Sequence, residues 1–258
     1  MGHASETTDT KGFYEKFAGE VLLEDFHRFN LRQDAVRRLC EEFVPRGARV
    51  LEIGCGVGIN VKRLRKTASR IVGVDISDRI IEIAKEYAGS PEIEFRVLDI
   101  LKGSAELVPL GPFDIVILPD VIEHVPKDQY PQLFAAVERL LARPGRVFIT
   151  YPSPEYQRYL KANEPNALQL VDETVELDDI LRHTSLELVH FSYKHVWNKN
   201  QYVHVVLTSD RSFRPDGMNR SWIERLEYRV KKRWWRFRNL AFLGRMRRRL
   251  ASTDRSSR

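Results

Sequence analysis

Residues 50–58 read Val-Leu-Glu-Ile-Gly-Cys-Gly-Val-Gly, and residues 71–75 read Ile-Val-Gly-Val-Asp. The run Arg49 to Ile53 is short, apolar and β-branched, the pattern of a strand buried on both faces of a parallel sheet. Gly54, Gly56 and Gly58 then let the backbone turn sharply, approach a ligand closely and present amide groups at the start of a helix expected over Ile59 to Lys66. Asp75 follows Gly54 by 21 positions, at the C-terminal end of the next strand. A carboxylate there accepts hydrogen bonds from both hydroxyls of a ribose. A ribose-bearing ligand is therefore expected across the turn. The dinucleotide fingerprint wants a glycine at the sixth position of this turn, where the chain has Ile59, so an NAD-type ligand is disfavoured.

Further landmarks follow in order. Val97-Leu98-Asp99-Ile100 ends a third strand on an acid, and the strand from Phe113 runs through Pro119 into Asp120-Val121-Ile122-Glu123-His124-Val125. Phe13-Tyr14 places an aromatic pair ahead of the core. Together with Glu52 through Gly58, which reads acid, apolar residue, Gly, any, Gly, any, Gly, this set resembles the class I S-adenosylmethionine-dependent methyltransferases over roughly Phe13 to Ser209. Within them it is most similar to the ubiquinone-type O-methylating group.

That resemblance implies an α/β fold, a doubly wound, seven-stranded Rossmann-like methyltransferase sheet, with S-adenosylmethionine as cofactor. Carried over by position, it implies cofactor-binding roles for Tyr14, Glu52, Gly54, Cys55, Gly56, Gly58, Asp75, Ile76, Asp99, Ile100 and Pro119. The glycine turn would lie against the methionine moiety, Asp75 would hold the ribose, Ile76 would pack on adenine and Asp99 would accept from the adenine amino group. Tyr14 belongs to a segment that this family folds over the cofactor. Two of these residues also have plainer readings: Asp99 as a helix N-cap, and Cys55 as a small filler of the turn.

Attack on a sulfonium methyl needs alignment, exclusion of water and, for a hydroxyl acceptor, a place for the proton. His124, just after the fourth strand, is the candidate catalytic base, since an imidazole with an unperturbed pKa near 6.5 is largely neutral at cytosolic pH. The alternative is that it hydrogen-bonds nearby backbone and shapes the loop. Asp120, Glu123 and His124 also look like the metal-holding spacing of small-RNA 2′-O-methyltransferases, but the further histidine of that group is replaced here by the acids of Asp172-Glu173-Thr174-Val175-Glu176. No metal site is expected. His183, His190, His195 and His204 fall at a helix end or in the late strands, where satisfied structural roles are the usual case.

With 258 residues, 43% of them hydrophobic, the chain can fill one α/β core and leave an extra segment. The N-terminus is polar and lacks the basic and apolar regions of a secretory signal, so a cytoplasmic protein is expected. Only Cys40 and Cys55 occur, too few for a disulfide framework or a thiolate zinc site, and no run of about 18 apolar residues suggests a membrane span.

Charge is uneven. Residues 211–258 hold sixteen Lys and Arg against four acids, a net of +12 in a chain whose total is +6, which leaves −6 on the first 210. Within that tail Ile223, Leu226, Val230, Trp234, Phe237 and Ala241 recur at spacings of three and four among basic residues, the pattern of a basic amphipathic helix. With Trp235 it suits peripheral docking on an anionic membrane at the cytoplasmic face, through residues 221–250, at about 1 kcal/mol per basic residue. Packing on the core or on a second subunit is an equal reading, and phosphate tracking on nucleic acid is a third.

The resulting organisation is an N-terminal helical cap over 1–46, a cofactor-binding domain over 47–210 with a lid insertion at 152–176, and a basic aromatic tail over 211–258. Helices are expected over Gln33 to Phe43, from a Ser77 or Asp78 cap, and over Lys127 to Leu141. Strands are expected over Arg146 to Tyr151, Leu186 to Tyr193 and Tyr202 to Thr208, the last two closing the sheet as a hairpin. The insertion at 152–176 follows a strand's C-terminal end, where loops overhang the ligand crevice. Tyr156, Tyr159, Gln169 and Glu173 are its candidates for acceptor contact. The expected activity is O-methylation of a hydroxyl on a glycan, lipid-linked sugar or lipophilic small molecule. The alternatives are RNA 2′-O-methylation and a non-methylating role in binding S-adenosylmethionine or transferring an aminopropyl group.

Overall fold

The computed structural model describes residues 31–165, 171–210, 229, 230 and 233. Their elements run α1 (Leu31–Phe43), β1 (Arg49–Ile53), α2 (Ile59–Leu64), β2 (Arg70–Asp75), α3 (Asp78–Ala88), β3 (Ile93–Val97), α4 (Ile100–Gly103), β4 (Phe113–Pro119), α5 (Tyr130–Leu140), β5 (Leu141–Pro152), α6 (Pro154–Asn163), α7 (Leu177–Leu181), β6 (Glu187–Lys194) and β7 (Tyr202–Thr208).

The strands form a seven-stranded sheet in the order β3-β2-β1-β4-β5-β7-β6. Only β7 opposes the others, antiparallel to both β5 and β6, which is the expected hairpin end. Alternate residues serve opposite faces because the side-chain period of a strand is two. Leu51, Val116, Leu118, Val147 and Ile149 join a core with α5 and α7, while Val50, Ile115, Ile117 and Phe148 join a second core with α1, α2 and α3. The central strands are therefore covered on both sides, and Val50, Leu51, Val72, Val116 and Ile117 are fully buried. The strand order reverses between β1 and β4, and ligand crevices of open α/β sheets form above the C-terminal ends of strands at such a point.

Several boundaries differ from the sequence expectation. Helix α1 begins at Leu31, two residues early, and α2 stops at Leu64 with Arg65 as its cap. The segment from Lys127 opens as a short 3-10 turn before α5. Strand β5 starts at Leu141: its register jumps from Phe113↔Leu141 to Ile115↔Arg146, so Pro144-Gly145 loops out inside the strand and does not precede it. His190 and His195 have the expected partners, Ser192 Oγ at 2.8 Å and the Asn200 N–H at 2.9 Å, and His183 meets the Tyr130 ring edge-on at 6.1 Å. His204 departs from that pattern. It is buried, its Nδ1 has no partner among the described residues, and burial holds the imidazole down at about 3.

The chain divides into two compact units, Met1–Arg211 and Ser212–Arg258. In the second, Arg229, Val230 and Arg233 are helical and exposed, Val230 by 60% although the periodicity puts it on the apolar stripe. The rest of the basic tail, Phe13, Tyr14 and Gln169 lie outside the described residues. No helix among the described residues is long and apolar enough to cross a membrane.

Candidate cofactor and acceptor site

The glycine turn has the backbone that its sequence demands. Gly54, Gly56 and Gly58 have φ of 69°, 50° and 80°, and the N–H groups of Gly54 and Cys55 both donate to the Val74 carbonyl, at 2.8 and 3.0 Å. This ties the turn to β2. A Cβ on Gly54 would meet Val121 Cγ2 at 2.3 Å, whereas one on Gly56 would meet nothing within 4 Å among the described residues. The turn is thus clamped at Gly54 and open at Gly56.

Asp75 stands beside that opening. Its Oδ2 accepts from the Gly56 N–H at 3.1 Å and its Oδ1 from the Ser77 N–H at 3.1 Å. Burial raises this carboxyl above its ordinary value, against the downward pull of the Ser77, Gly56 and Ile76 N–H groups. Ser77 decides the capping question: its side chain accepts from the Ile80 N–H at 3.3 Å as N-cap of α3. Ile76 is half-buried next to it.

Glu52 lies in the core among Asn60, Cys40 and Cys55. It is 1% exposed, its Oε1 accepts from Asn60 Nδ2 at 3.1 Å, and its Oε2 has no partner among the described residues. Burial pushes it up to about 8, while Asn60 pulls the other way. Burial likewise raises both thiols, and Cys55 packs into the second core from the turn. A folded-state pKa raised from 4.5 to about 8 means that stability contributed below pH 4.5 is lost as pH rises towards 8, by at most about 1.4 kcal/mol per pH unit. Glu52→Gln keeps the acceptor for Asn60 and removes the titration. Urea midpoints at pH 5 and pH 8 should lie closer together in this variant than in the wild type, and equal spacing in both would refute the assignment.

Asp99 is the N-cap of α4, its Oδ1 accepting from the Leu101 N–H at 3.0 Å. Its side chain is still 28% exposed at the end of β3. Ile100 is a core residue at 6% exposure, and Pro119 is half-buried where β4 ends.

On the other side of the switch point, Asp120 adopts the left-handed region with φ 54°. Its N–H donates to the Thr150 carbonyl at 2.8 Å, its Oδ1 accepts from Thr150 Oγ1 at 3.1 Å, and its Oδ2 lies 3.1 Å from Arg32 Nε. Arg32 Nη1 also reaches the Tyr202 hydroxyl at 3.5 Å. Glu123 is 2% exposed, and burial first, then the charge of Asp120, raises its carboxyl well above the ordinary range. His124 Nδ1 lies 2.7 Å from the Val171 carbonyl and 3.7 Å from Asp172 Oδ1. The Glu173 N–H donates to the Glu123 carbonyl at 2.7 Å, and Gln157 Nε2 donates to Asp172 Oδ1 at 2.9 Å and to the Glu173 carbonyl at 3.4 Å. Residues 171–173 are thereby strapped to the loop after β4. Tyr156 is half-buried with its ring 6.4 Å from that of Tyr202, whereas Tyr159 is 52% exposed and joins none of these contacts. Among the described residues, no three His, Cys, Asp or Glu converge as a metal cage.

Residues 25–246 match a family described as a methyltransferase domain. The chain belongs to the class I S-adenosylmethionine-dependent methyltransferases. A ubiquinone biosynthesis O-methyltransferase of Coxiella burnetii is 27% identical over 124 residues, covering 46% of this chain and 50% of that protein. The chain thus spans about half the length of the curated relatives it matches. Two solved structures share the fold. A methyltransferase from Anabaena variabilis has a TM-score of 0.62 at 16% identity, over 77% of this chain and 94% of that one. The N-methyltransferase NodS of Bradyrhizobium japonicum, in complex with S-adenosylhomocysteine, has a TM-score of 0.62 at 15% identity, over 76% and 98%.

The cofactor of this methyltransferase is S-adenosylmethionine, and the geometry fits it. The two Asp75 oxygens accept from backbone N–H groups and still have lone-pair capacity of the kind a ribose hydroxyl would need, and the space at Gly56, free of the described residues, would admit a ligand against the backbone. Sequence reasoning found these residues because each sits at a strand end. It missed Arg32, Thr150, Gln157 and Tyr202, whose roles arise from contacts between segments far apart in the chain.

Proposed function

We propose that this methyltransferase O-methylates a hydroxyl of a glycan, lipid-linked sugar or lipophilic small molecule. S-adenosylmethionine supplies an electrophilic methyl on a positively charged sulfur. The chain's own residues do the rest. Gly54 to Gly58 and Asp75 orient the cofactor, the strap 171–173 helps to exclude water, and His124 takes the proton of the acceptor hydroxyl.

The observation that carries the acceptor chemistry is the bond between His124 Nδ1 and the Val171 carbonyl. A carbonyl only accepts, so Nδ1 holds the hydrogen and a neutral ring keeps its lone pair on Nε2, as a base requires. His124→Gln should lower kcat about 10²-fold or more, within the usual range for a general base, with KM for S-adenosylmethionine unchanged. A variant with wild-type kcat would leave His124 a loop-shaping residue.

Segment 221–250 we assign to an anionic membrane surface, on the strength of its charge and its aromatic residues. The full-length protein should sediment with phosphatidylglycerol vesicles and not with phosphatidylcholine ones. Salt-sensitive RNA binding without vesicle binding would favour RNA 2′-O-methylation instead.

A further inference from the structure

The loop between β6 and β7 and the start of α6 border an open, shallow depression of about 390 Å³ that the cofactor reading leaves unused. It is lined by Ser153, Glu155, Tyr156, Asn198, Lys199, Asn200 and Gln201. Strand β7 is antiparallel, so its first residues lie at the same sheet edge as the ends of β4 and β5. The depression therefore lies at the sheet edge formed by the C-terminal ends of β4 and β5. Contacts lead from it to the loop after β4: Tyr156 packs on Tyr202, Tyr202 meets Arg32, and Arg32 pairs with Asp120.

The loop is built to present side chains. Gln201 is 2% exposed, and its Oε1 accepts from the N–H groups of Trp197 and Asn198 at 3.0 and 3.1 Å. Its own N–H donates to the Lys194 carbonyl at 3.1 Å, and its carbonyl accepts from the Ser153 N–H at 2.8 Å. Asn200 takes the left-handed conformation, φ 54°, with its N–H held by His195 Nδ1. Buried Gln201 and exposed His195 thus hold the loop backbone, and Asn198 and Asn200 line the depression.

We propose that this depression binds a neutral sugar ring of the methyl acceptor, an inference that rests on the hydroxyl-acceptor reading above. Amide side chains both donate and accept, which matches hydroxyls that do the same. Glu155 and Lys199 carry opposite charges, so the lining favours no net charge on the ligand. Among the described residues of the lining, Tyr156 contributes the aromatic face, suited to the C–H side of a pyranose, and no aliphatic side chain stands there to hold an acyl chain. The volume falls in the range of about 300–1,000 Å³ common for small-ligand pockets.

The test is saturation-transfer difference NMR on the full-length protein with S-adenosylhomocysteine. The probes are methyl α-glucoside, methyl α-galactoside, methyl α-mannoside, rhamnose and N-acetylglucosamine. The comparison is with Asn198→Ala/Asn200→Gly, in which the glycine preserves the backbone at position 200. At least one sugar should give a signal that falls severalfold in the double variant, while affinity for S-adenosylhomocysteine stays within about twofold. No signal from any of the five, or one that survives in the double variant, overturns the proposal. A catechol methylated equally fast by both proteins, without any sugar signal, would leave the hydroxyl-acceptor reading standing and remove only the sugar subsite. Loss of hydroxyl methylation with every acceptor, despite intact cofactor binding, would instead sink the reading on which the subsite rests.

Discussion

Asp75→Ala should weaken S-adenosylmethionine binding about 100-fold or more in a calorimetric titration, while the thermal transition of the protein persists. The carboxylate holds the N–H groups of Gly56 and Ser77, and in the proposed role its remaining lone pairs accept from the ribose. Hydrogen bonds to a charged group contribute about 1.5–3 kcal/mol each, so losing two of them weakens binding by two to four powers of ten. The orphaned Gly56 N–H adds to the loss by loosening the turn. Asp75→Asn, which keeps one acceptor oxygen, should fall between alanine and the wild type. Because burial raises the Asp75 carboxyl, wild-type binding should also fade on acidification at a higher pH than an ordinary aspartate would give. Undiminished affinity in the alanine variant would remove Asp75 from the ribose site.

Gly54→Ala should be the most damaging single change in the turn. A left-handed backbone costs an alanine about 1–2 kcal/mol, and the new methyl, 2.3 Å from Val121 Cγ2, adds about 1–3 kcal/mol of overpacking. Val121 opens the loop that carries Glu123 and His124, so relief of the clash displaces the proposed base as well as the cofactor turn. The expected result is loss of detectable binding together with a lower melting temperature. Val121→Ala in the same chain removes the collision and leaves the backbone strain, so it should restore part of the affinity. A double variant no better than Gly54→Ala would place the whole effect in the backbone. Gly56→Ala makes no such contact, so its cost should come from strain alone.

The half of the candidate site built on the glycine turn is legible because it is local. A parallel strand, a glycine turn and an acid at the next strand end are each contiguous, and the sheet merely sets them side by side. The acceptor half obeys no such economy. Arg32 reaches Asp120 and Tyr202, which lie 88 and 170 positions away, and His124 finds Val171 47 positions on. Nothing in the spacing of those residues announces the contacts. The start of β5 was obscured for a different reason. Pro144-Gly145 is a sound turn signal, yet hydrogen bonding resumes on both sides of it, so a bulge takes the place of a boundary. Ser77 and Asp99 show the opposite case, in which the local chemistry of a cap could be read directly and the structure bears it out.

The strap at residues 171–173 bears on how such an enzyme can change over generations. Three of its fastenings engage its main chain: the Val171 carbonyl on His124, the Glu173 N–H on Glu123 and the Glu173 carbonyl on Gln157. Peptide groups are the same whatever side chain they carry. Substitutions at 171 and 173 can therefore accumulate without unfastening the segment, and each offers the crevice a new surface. Divergence in acceptor preference within such a lineage should concentrate at these positions, with Gln157 and the loop after β4 as the fixed points.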